Sequence, residues 1–542
     1  MKKLVTLILI SVAAGTAAMA QIPGWSWAKS ARGDGHDYVR AISTDANGTS
    51  YVTGEFQGPT DIFENDTLTA TANGNFFIAK YDSSGHVLWA KAAVSVGESV
   101  GTGIKQDPSG NCVVTGYYQS SLTITFVTIT IPSSSGGIFQ SAFLVKYDSL
   151  GNVMWARNAG ASDWIPGNFS VDLDAAGNIY LTGTFADSAF LEKYDAAGNQ
   201  LLKKYYSGNT FVNNAHPWSI STDAAGNNFI TGYFSNPSLV FGTTTLTNAN
   251  GGYQIFIVKT DSSGNIIWAK NDGVYPSLYK PYISSDGAGN CYITGYFNGT
   301  SCMFGSTILL NAGANDIFVV KYNPSGNVVW AKRAGGTHFD LGMGIRTDAN
   351  GNSYITGFFR GTAYFDNFTL FSANDPEIFV AKYDSSGNVL WAKSAGGSDV
   401  DNSNAIGIDA QGNCYIGGNF FSANAYFDII VLPNSNLSTF PSEVFVAKLG
   451  SGTVTGITPI PALVNTENSI VYPNPANDVL TVSVSEFPCG IVLYDVSGRE
   501  VLSEQLIKES DQIKIKNLLP GIYFYEVKGY DKVVKKGKIV KE

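Results

Sequence analysis

Aspartate side chains recur at a fixed place in a repeated phrase, and their oxygens could bind a metal ion. In the first copy Asn47 follows Asp45 by two positions, the alternation of oxygen ligands with which a calcium loop begins. The second position is alanine in three of the seven copies, which removes that ligand. We therefore interpret Asp-x-x-Gly as a tight turn and expect neither metal ion nor cofactor. The phrases begin at Asp45, Asp107, Asp174, Asp223, Asp286, Asp348 and Asp409.

Lysine also recurs once in every repeat, and a lysine can act as a nucleophile or a proton donor. A residue present in all copies is more simply explained by a structural role in each copy. We expect these lysines to pair with a carboxylate or to lie along an aromatic ring. The seven positions are Lys80, Lys146, Lys193, Lys259, Lys321, Lys382 and Lys448.

Catalysis has little support in the sequence. The chain has four histidines and lacks HExxH, a glycine-rich phosphate loop and a CxxC pair. Three of its five cysteines, Cys112, Cys291 and Cys414, occupy one slot of the repeat, where a small half-buried side chain is expected. We predict that the protein is not an enzyme, although histidines and aspartates from different repeats could converge on one face.

The repeat itself predicts the fold. KYDSSGHVLWAK at 80–91 returns as KYDSSGNVLWAK at 382–393. The full repeat contains two Asp-x-x-Gly turns, and each turn joins two predicted strands into a β-hairpin. Four antiparallel strands make one blade of a β-propeller, so the sequence predicts an all-β, seven-bladed propeller. WSWAKS at 25–30 precedes the first blade, whereas the last blade lacks this strand. The N-terminal strand is therefore expected to complete the seventh blade.

The phrases DxxGNxYxTGxF and FVAKYDxxGNVxWAK resemble the bacterial β-propeller repeats called SBBP, over residues 25 to about 450. This resemblance implies a fold found in many secreted proteins, and it implies no particular ligand. We assign residues 21–450 to the propeller.

Charge and hydropathy indicate which partners and which cellular location are expected. The formal net charge is -10 and no basic stripe runs through the body of the chain, so a nucleic-acid partner is not expected. Residues 1–20 have the basic start, apolar run and Ala-x-Ala ending of a secretory signal peptide. No other stretch is long and apolar enough to predict a transmembrane segment in the mature chain.

The C-terminal region changes in character after a Gly-, Pro- and Thr-containing linker at 451–467. Residues 468–542 contain alternating strands and turn glycines that predict a small Ig-like β-sandwich. This module resembles the C-terminal sorting domain of the type IX secretion system, and the lack of tryptophan in it disfavours the alternative of a carbohydrate-binding sandwich. The resemblance rests on the basic end of the chain and on Tyr472, Pro473, Asn474, Pro475, Asp495, Gly498, Gly521 and Tyr523.

That resemblance implies a Gram-negative cell, passage through the periplasm, recognition by the type IX machinery, and then release or attachment to surface lipopolysaccharide. Within the propeller, the variable connections all lie at the end opposite the Asp-x-x-Gly turns, and loops on a rigid scaffold commonly bind ligands. We expect a glycan or a cell-surface protein to bind there; an inert surface scaffold and, less favoured, a glycan-active enzyme are the alternatives. The expected contacts are Asp37, Asp163, Trp164, Trp218, Tyr279, Phe339, Asp340 and Asp399.

Overall fold

The computed structural model contains only β-strands as regular structure within the residues that it describes. The described residues are 22–33, 35–70, 74–119, 123–133, 140–161, 169–185, 188–206, 215–249, 251–275, 280–372, 375–435, 442–450, 470–473, 475–483, 489–495, 500–506, 510–528 and 533–541. The predicted signal peptide at 1–20 and the predicted linker at 451–467 lie outside them.

The N-terminal part of the chain contains the strands β1 to β18. They are β1 (Trp25–Ser30), β2 (Arg32–Gly33), β3 (Tyr38–Thr44), β4 (Ser50–Phe56), β5 (Thr60–Phe63), β6 (Asp66–Thr69), β7 (Asn75–Tyr81), β8 (Val87–Ser95), β9 (Ser99–Gln106), β10 (Cys112–Tyr118), β11 (Thr123–Phe126), β12 (Ile129–Pro132), β13 (Ser141–Tyr147), β14 (Val153–Ala161), β15 (Ser170–Leu173), β16 (Ile179–Phe185), β17 (Ser188–Tyr194) and β18 (Gln200–Tyr206).

The following part contains the strands β19 to β41. They are β19 (Ala215–Thr222), β20 (Asn228–Phe234), β21 (Ser238–Phe241), β22 (Thr244–Thr247), β23 (Tyr253–Thr260), β24 (Ile266–Tyr275), β25 (Tyr282–Ser285), β26 (Cys291–Phe297), β27 (Ser301–Phe304), β28 (Thr307–Leu310), β29 (Asp316–Tyr322), β30 (Val328–Gly336), β31 (Leu341–Thr347), β32 (Ser353–Phe359), β33 (Thr362–Phe365), β34 (Phe368–Phe371), β35 (Glu377–Tyr383), β36 (Val389–Ala395), β37 (Asp401–Ile408), β38 (Cys414–Phe420), β39 (Asn424–Phe427), β40 (Ile430–Pro433) and β41 (Glu443–Leu449).

These strands form seven groups of four antiparallel strands, which we call units 1 to 7. In chain order the groups are β3-β4-β7-β8, β9-β10-β13-β14, β15-β16-β17-β18, β19-β20-β23-β24, β25-β26-β29-β30, β31-β32-β35-β36 and β37-β38-β41-β1. The first strand of each unit contacts the first strand of the next, and β37 contacts β3. The first strands therefore surround a common axis.

The N-terminal strand completes unit 7. Strand β1 pairs antiparallel with β41, so that Trp27 lies opposite Lys448 and Ser30 opposite Phe445. The side chains of Trp25 and Trp27 are both buried, the first in a cluster between units 6 and 7 and the second in a cluster between units 7 and 1. The pairing expected for residues 25–30 is thus present in the structure.

A recurring contact joins several units to the turn between the third and fourth strands of the next unit. In unit 1, Trp89 Nε1 and Lys80 Nζ both donate to the carbonyl oxygen of Ser149 in unit 2, at 3.2 and 2.8 Å. The Trp89 ring lies against Gly151, where an added Cβ would be 2.9 Å from the ring. Lys80 Nζ also lies 5.1 Å from the centre of the Tyr51 ring. In six copies the repeated lysine lies over an aromatic ring, and Lys146 pairs with the Asp107 carboxylate at 3.0 Å, so both expected roles occur.

The connections between second and third strands are more regular than expected from their variable sequences. In six units they contain a two-stranded hairpin, namely β5-β6, β11-β12, β21-β22, β27-β28, β33-β34 and β39-β40. Two of these hairpins pair with the fourth strand of the preceding unit, namely β11 with β8 and β33 with β30. Much of the chain in these connections is thus regular β-structure.

The C-terminal region forms two sheets around one apolar core. Its strands are β42 (Ile470–Tyr472), β43 (Val479–Ser483), β44 (Cys489–Tyr494), β45 (Glu500–Leu506), β46 (Ser510–Lys514), β47 (Gly521–Lys528) and β48 (Val533–Lys541). One sheet has the order β42-β43-β46 and the other β45-β44-β47-β48. Leu480 from the first sheet and Leu493 and Val527 from the second belong to the same buried cluster.

Candidate functional site: a central cavity

The first strands of all seven units line a cavity of about 480 Å³ around their common axis. Its wall contains Arg40 from unit 1, Lys105 from unit 2 and Asp172 from unit 3, together with residues of the other four units. A volume of this size falls within the roughly 300–1,000 Å³ typical of small-ligand pockets. The cavity is therefore a candidate binding site built by the whole ring.

The residues that line the cavity differ from unit to unit, although the surrounding sequence repeats. One slot lies five positions before the turn aspartate, and it holds Arg40, Thr102, Trp218, Met343 and Asn404 in units 1, 2, 4, 6 and 7. The repeat determines the position of these side chains in the cavity wall, but the residue type at that position differs between units. A comparison of this slot across copies is the sequence signal that could have identified the site.

Two cations in the wall are paired with carboxylates. Arg40 Nη2 lies 2.5 Å from Glu55 Oε1, and Lys105 Nζ lies 2.7 Å from Asp172 Oδ1. Glu55 and Asp172 are both buried, so each pair is shielded from water on its acidic side. These charges are compensated within the protein.

Two further cations have no carboxylate within ion-pair distance among the described residues. Lys280 Nζ lies 4.9 Å from the centre of the Trp218 ring, and burial together with repulsion from Arg40 lowers the pKa of this lysine. Among the described residues, Arg346 donates one long hydrogen bond of 3.5 Å, from Nη1 to the carbonyl oxygen of Ile345. Burial lowers the pKa of Arg346, and the charge of Asp172 partly opposes this shift. The cavity thus carries uncompensated positive charge.

Aromatic rings form another part of the wall. Trp218 and Tyr282 meet edge to face at 6.5 Å between ring centres, and Tyr117 and Tyr233 also line the cavity. Such rings offer flat apolar surface with polar atoms at the edge. Cations beside aromatic rings suit a ligand that has both charged and ring-shaped parts.

Of the sequence-predicted contacts that lie within the described residues, only Trp218 lines this cavity. Trp218 is half-buried in its wall, whereas Phe339, at 49% exposure, and Asp399 lie elsewhere. Asp399 accepts the Val400 N–H at 2.7 Å and its own N–H donates to Ser422 Oγ at 2.9 Å. The other predicted contacts Asp163, Trp164 and Tyr279 lie outside the described residues.

Asp37 and Asp340 differ from the surface position expected for them, because both side chains are fully buried. Asp340 accepts the N–H groups of Gly336 and Arg360 at 2.6 and 3.2 Å, and Asp37 accepts the Gln57 N–H at 3.2 Å. They hold the connections in place from inside the fold. Burial depends on how neighbouring units pack, which the spacing of the sequence does not reveal.

Buried acidic groups cluster near the boundaries between units. Burial raises the pKa of Asp340 to about 7 despite its backbone hydrogen bonds. Burial likewise raises the pKa of Asp401 to about 7, and burial with repulsion from Asp401 raises the pKa of Glu377 to about 8. Burial and the nearby Asp61 carboxyl raise the pKa of Asp37. These acids are largely protonated at mildly acidic pH.

The turn aspartates have the role expected for them. Asp45 Oδ1 accepts the N–H groups of Asn47 and Thr49 at 2.8 and 2.9 Å, and the other copies repeat this pattern. Among the described residues no group of three or more His, Cys, Asp or Glu side chains is arranged to hold a metal ion. Cys112, Cys291 and Cys414 are fully buried rather than half-buried, and burial raises the pKa of each thiol.

The residues predicted to form the sorting signal are distributed over the C-terminal sheets. Tyr472 in β42 is exposed, whereas Tyr523 in β47 is buried and donates from its hydroxyl to the Leu519 carbonyl at 2.8 Å. Pro475 and Gly521 are exposed and Asp495 is half-buried. Pro473 is also exposed, and Asn474 and Gly498 lie outside the described residues.

Comparison with known families identifies this C-terminal region. Residues 470–542 match the family described as the secretion system C-terminal sorting domain. The match supports type IX secretion, and it implies export to the cell surface or the medium. No helix of the described residues is long and apolar enough to cross a membrane.

The remainder of the chain has more distant likenesses. An uncharacterized WD repeat-containing protein of Acanthamoeba polyphaga mimivirus is 26% identical over 448 residues, which cover 66% of this chain and 32% of that protein. The chain thus spans about a third of the length of this curated relative.

Two solved structures are also similar at low scores. A protein of unknown function from Bacteroides caccae has a TM-score of 0.33 at 12% identity and covers 59% of this chain and 89% of its own. PorZ, an essential bacterial surface component of the type-IX secretion system of Porphyromonas gingivalis, has a TM-score of 0.22 at 11% identity and covers 93% of this chain and 81% of its own.

Proposed function

We propose that the chain is an exported seven-bladed β-propeller of SBBP-like repeats that binds a ligand in its central cavity. The observation that carries this proposal is the pair of cations without a carboxylate partner among the described residues, Lys280 and Arg346, in a cavity wall that also contains Trp218. Residues needed only for the fold recur in every unit, whereas these three do not. A position whose residue type differs between units can carry a side chain that binds a ligand.

The ligand that we propose is a glycan or a cell-surface protein met outside the cell. Aromatic rings and charged groups in one cavity suit either class. The exposed Phe339 remains a candidate for additional contacts at the loop-rich end. Binding is favoured over catalysis because no nucleophile, general base and orienting group have been found together in the cavity wall.

A binding screen tests this function. The mature protein is applied to a glycan array and used to retrieve proteins from cell surfaces, and the hit is then titrated against Trp218→Ala. We expect this change to weaken binding at least tenfold, because buried aromatic anchors dominate many interfaces. Ser84→Ala and Ser386→Ala are matched controls in exposed turns.

Binding that depends on the turn serines and ignores Trp218 would contradict the cavity as the binding site. Absence of any ligand in both screens would favour an inert surface scaffold. Turnover of the bound glycan would instead identify an enzyme.

Export is tested separately through the C-terminal region. We propose that the type IX machinery recognises residues 468–542 and that the mature protein is then released or attached to surface lipopolysaccharide. Removal of these residues is expected to leave the propeller folded but retained in the periplasm. Fusion of the same residues to an unrelated periplasmic protein should carry it outside. A truncated protein that still reaches the surface would refute this role.

A further inference from the structure

The charge of the central cavity is opposite to that of the whole protein. The chain has a formal net charge of -10, whereas the charged residues in the cavity wall are Arg40, Lys105, Lys280, Arg346 and a single acid, Asp172. Two of the four cations have carboxylate partners, as described above. The excess positive charge therefore lies with Lys280 and Arg346.

An unpaired cation in a partly dehydrated wall is unfavourable unless a partner or solvent compensates it. Burial lowers the pKa of both Lys280 and Arg346, which is the response of a charged group that lacks compensation. An anionic group of a ligand would relieve this cost on binding. The same two residues would then distinguish anionic from neutral ligands.

The cations lie at two depths of the cavity. Lys280 precedes the turn aspartate of its unit by six positions and Arg346 precedes its own by two. A difference of four residues corresponds to about 13 Å along extended chain. The charged neighbours of the two residues differ in the same way. Arg40, five positions before its turn aspartate, lowers the pKa of Lys280, whereas Asp172, two positions before its own, raises the pKa of Arg346. We call these two depths the upper level and the lower level.

The upper level also contains the aromatic surface. Trp218 lies at the level of Arg40, five positions before its turn aspartate, and it contacts both Lys280 and Tyr282. A tryptophan ring packs well against the apolar face of a sugar ring, while the adjacent cation can pair with a substituent on that ring. This arrangement favours a sugar over an extended acidic peptide.

We propose that the central cavity binds an acidic oligosaccharide along its axis, with one carboxylate or sulfate group beside Lys280 and a second beside Arg346, and with a sugar ring against Trp218. This inference rests on the proposed binding function and names the ligand class for the same cavity. The ligand's charges compensate the two cations, and an oligosaccharide is long enough to reach both depths of the cavity.

The mature protein is titrated by calorimetry with a hyaluronan tetrasaccharide, which carries carboxylates, and with a chondroitin sulfate tetrasaccharide, which carries carboxylates and sulfates. Chitotetraose serves as the neutral control of the same length. We expect at least tenfold tighter binding of an acidic probe, and weaker binding as sodium chloride is added. The two acidic probes distinguish carboxylate from sulfate recognition.

Variants locate the contact. Lys280→Met and Arg346→Met should each weaken binding of the acidic probe at least tenfold, and Arg346→Lys should restore part of it. Arg32→Met is the matched control, because Arg32 is exposed and does not line the cavity. Should a methionine variant fold poorly, the salt dependence of the unaltered protein and the lysine variant still test the proposal.

Equal affinity for chitotetraose, or equally tight binding of tetraglutamate, would overturn the proposal. So would losses limited to one of the two cations, since the ligand would then not span both levels. If a neutral glycan binds and depends on Trp218, the acidic ligand is refuted while the proposed binding function stands. If no ligand binds in any screen, both fail.

Discussion

Cationic and aromatic side chains occur both at the contacts between units and in the central cavity, but only those at the contacts between units have recurring hydrogen-bond partners. Between units, Lys80 and Trp89 donate to one carbonyl oxygen, and equivalent bonds recur around the ring. In the cavity, Lys280 and Arg346 have no carboxylate partner among the described residues. The difference indicates that repeated residues stabilise the ring, whereas the residues that break the repeat are available to a ligand.

The largest expected effect comes from removing the strand that joins the two ends of the ring. Deletion of residues 22–30 removes the buried Trp25 and Trp27 and leaves β41 with an unpaired edge. Loss of a buried tryptophan costs about 3–5 kcal/mol, so we expect a loss of about 6 kcal/mol or more, measured by denaturant unfolding. Leu88→Ala, at a site 53% exposed, is the control and should change little. An unaltered unfolding midpoint after the deletion would disprove the role of β1.

A smaller effect is expected at the turn that receives the tryptophan. Gly85 has a φ of 87° and an added Cβ would lie 2.6 Å from the Trp27 ring. Gly85→Ala therefore combines backbone strain with a clash and should cost about 2–5 kcal/mol. Gly251→Ala is matched in backbone conformation, with a φ of 68°, but has nothing within 4 Å. It should cost only about 1–2 kcal/mol, and equal costs would argue against the clash.

The buried acids predict that stability depends on pH. Asp340 and Asp401 have pKa values raised to about 7 and Glu377 to about 8, so between pH 4 and pH 8 the native state binds more protons than the unfolded state. Their contribution is complete below about pH 4 and is lost as pH rises through 7 to 8.

Unfolding free energies should therefore be about 1–3 kcal/mol higher at pH 5.5 than at pH 8.5. Glu377→Gln should reduce this difference, whereas Arg346→Met in the cavity should leave it unchanged. A protein equally stable at both pH values would contradict the assignment of raised pKa values to these acids.

The smallest effect has the opposite sign. Arg346→Met removes an uncompensated charge from the cavity wall, so the ligand-free protein should gain about 1 kcal/mol in unfolding free energy. Arg32→Met, at an exposed site, should change it by less than about 0.5 kcal/mol. A marked loss of stability in Arg346→Met would show that this arginine supports the fold, and the contrast between the two regions would disappear.

Features set by short sequence spacing were predictable, because a tight turn and its two strands lie within about twenty residues. The role of Asp45 followed from such spacing. The aromatic contact of Lys80 followed from the recurrence of this lysine in every repeat, and the pairing of residues 25–30 with unit 7 followed from the strand that the last repeat lacks. The hairpins between second and third strands were not foreseen, since they are stabilised by the preceding unit.

The candidate site was predicted less well, because the wall of the cavity is made by residues more than three hundred positions apart. Trp218 was expected to bind a ligand, but Lys280 and Arg346 were missed. Asp37 and Asp340 were assigned to exposed loops, since nothing in their local sequence reports the neighbouring unit that buries them. Only the ring geometry brings such residues together.

The pairing of β1 with β41 also determines the order of folding events. Trp25 and Leu449 are partners, so almost the entire repeat array separates the two strands along the chain. Contacts of such long range carry a high loop-closure entropy and form slowly. While six units assemble from local hairpins, β1 remains a lone segment and β41 an open edge. Ring closure is therefore the natural last step, and the period before it is when another chain's strand could take the place of β1 and link two molecules.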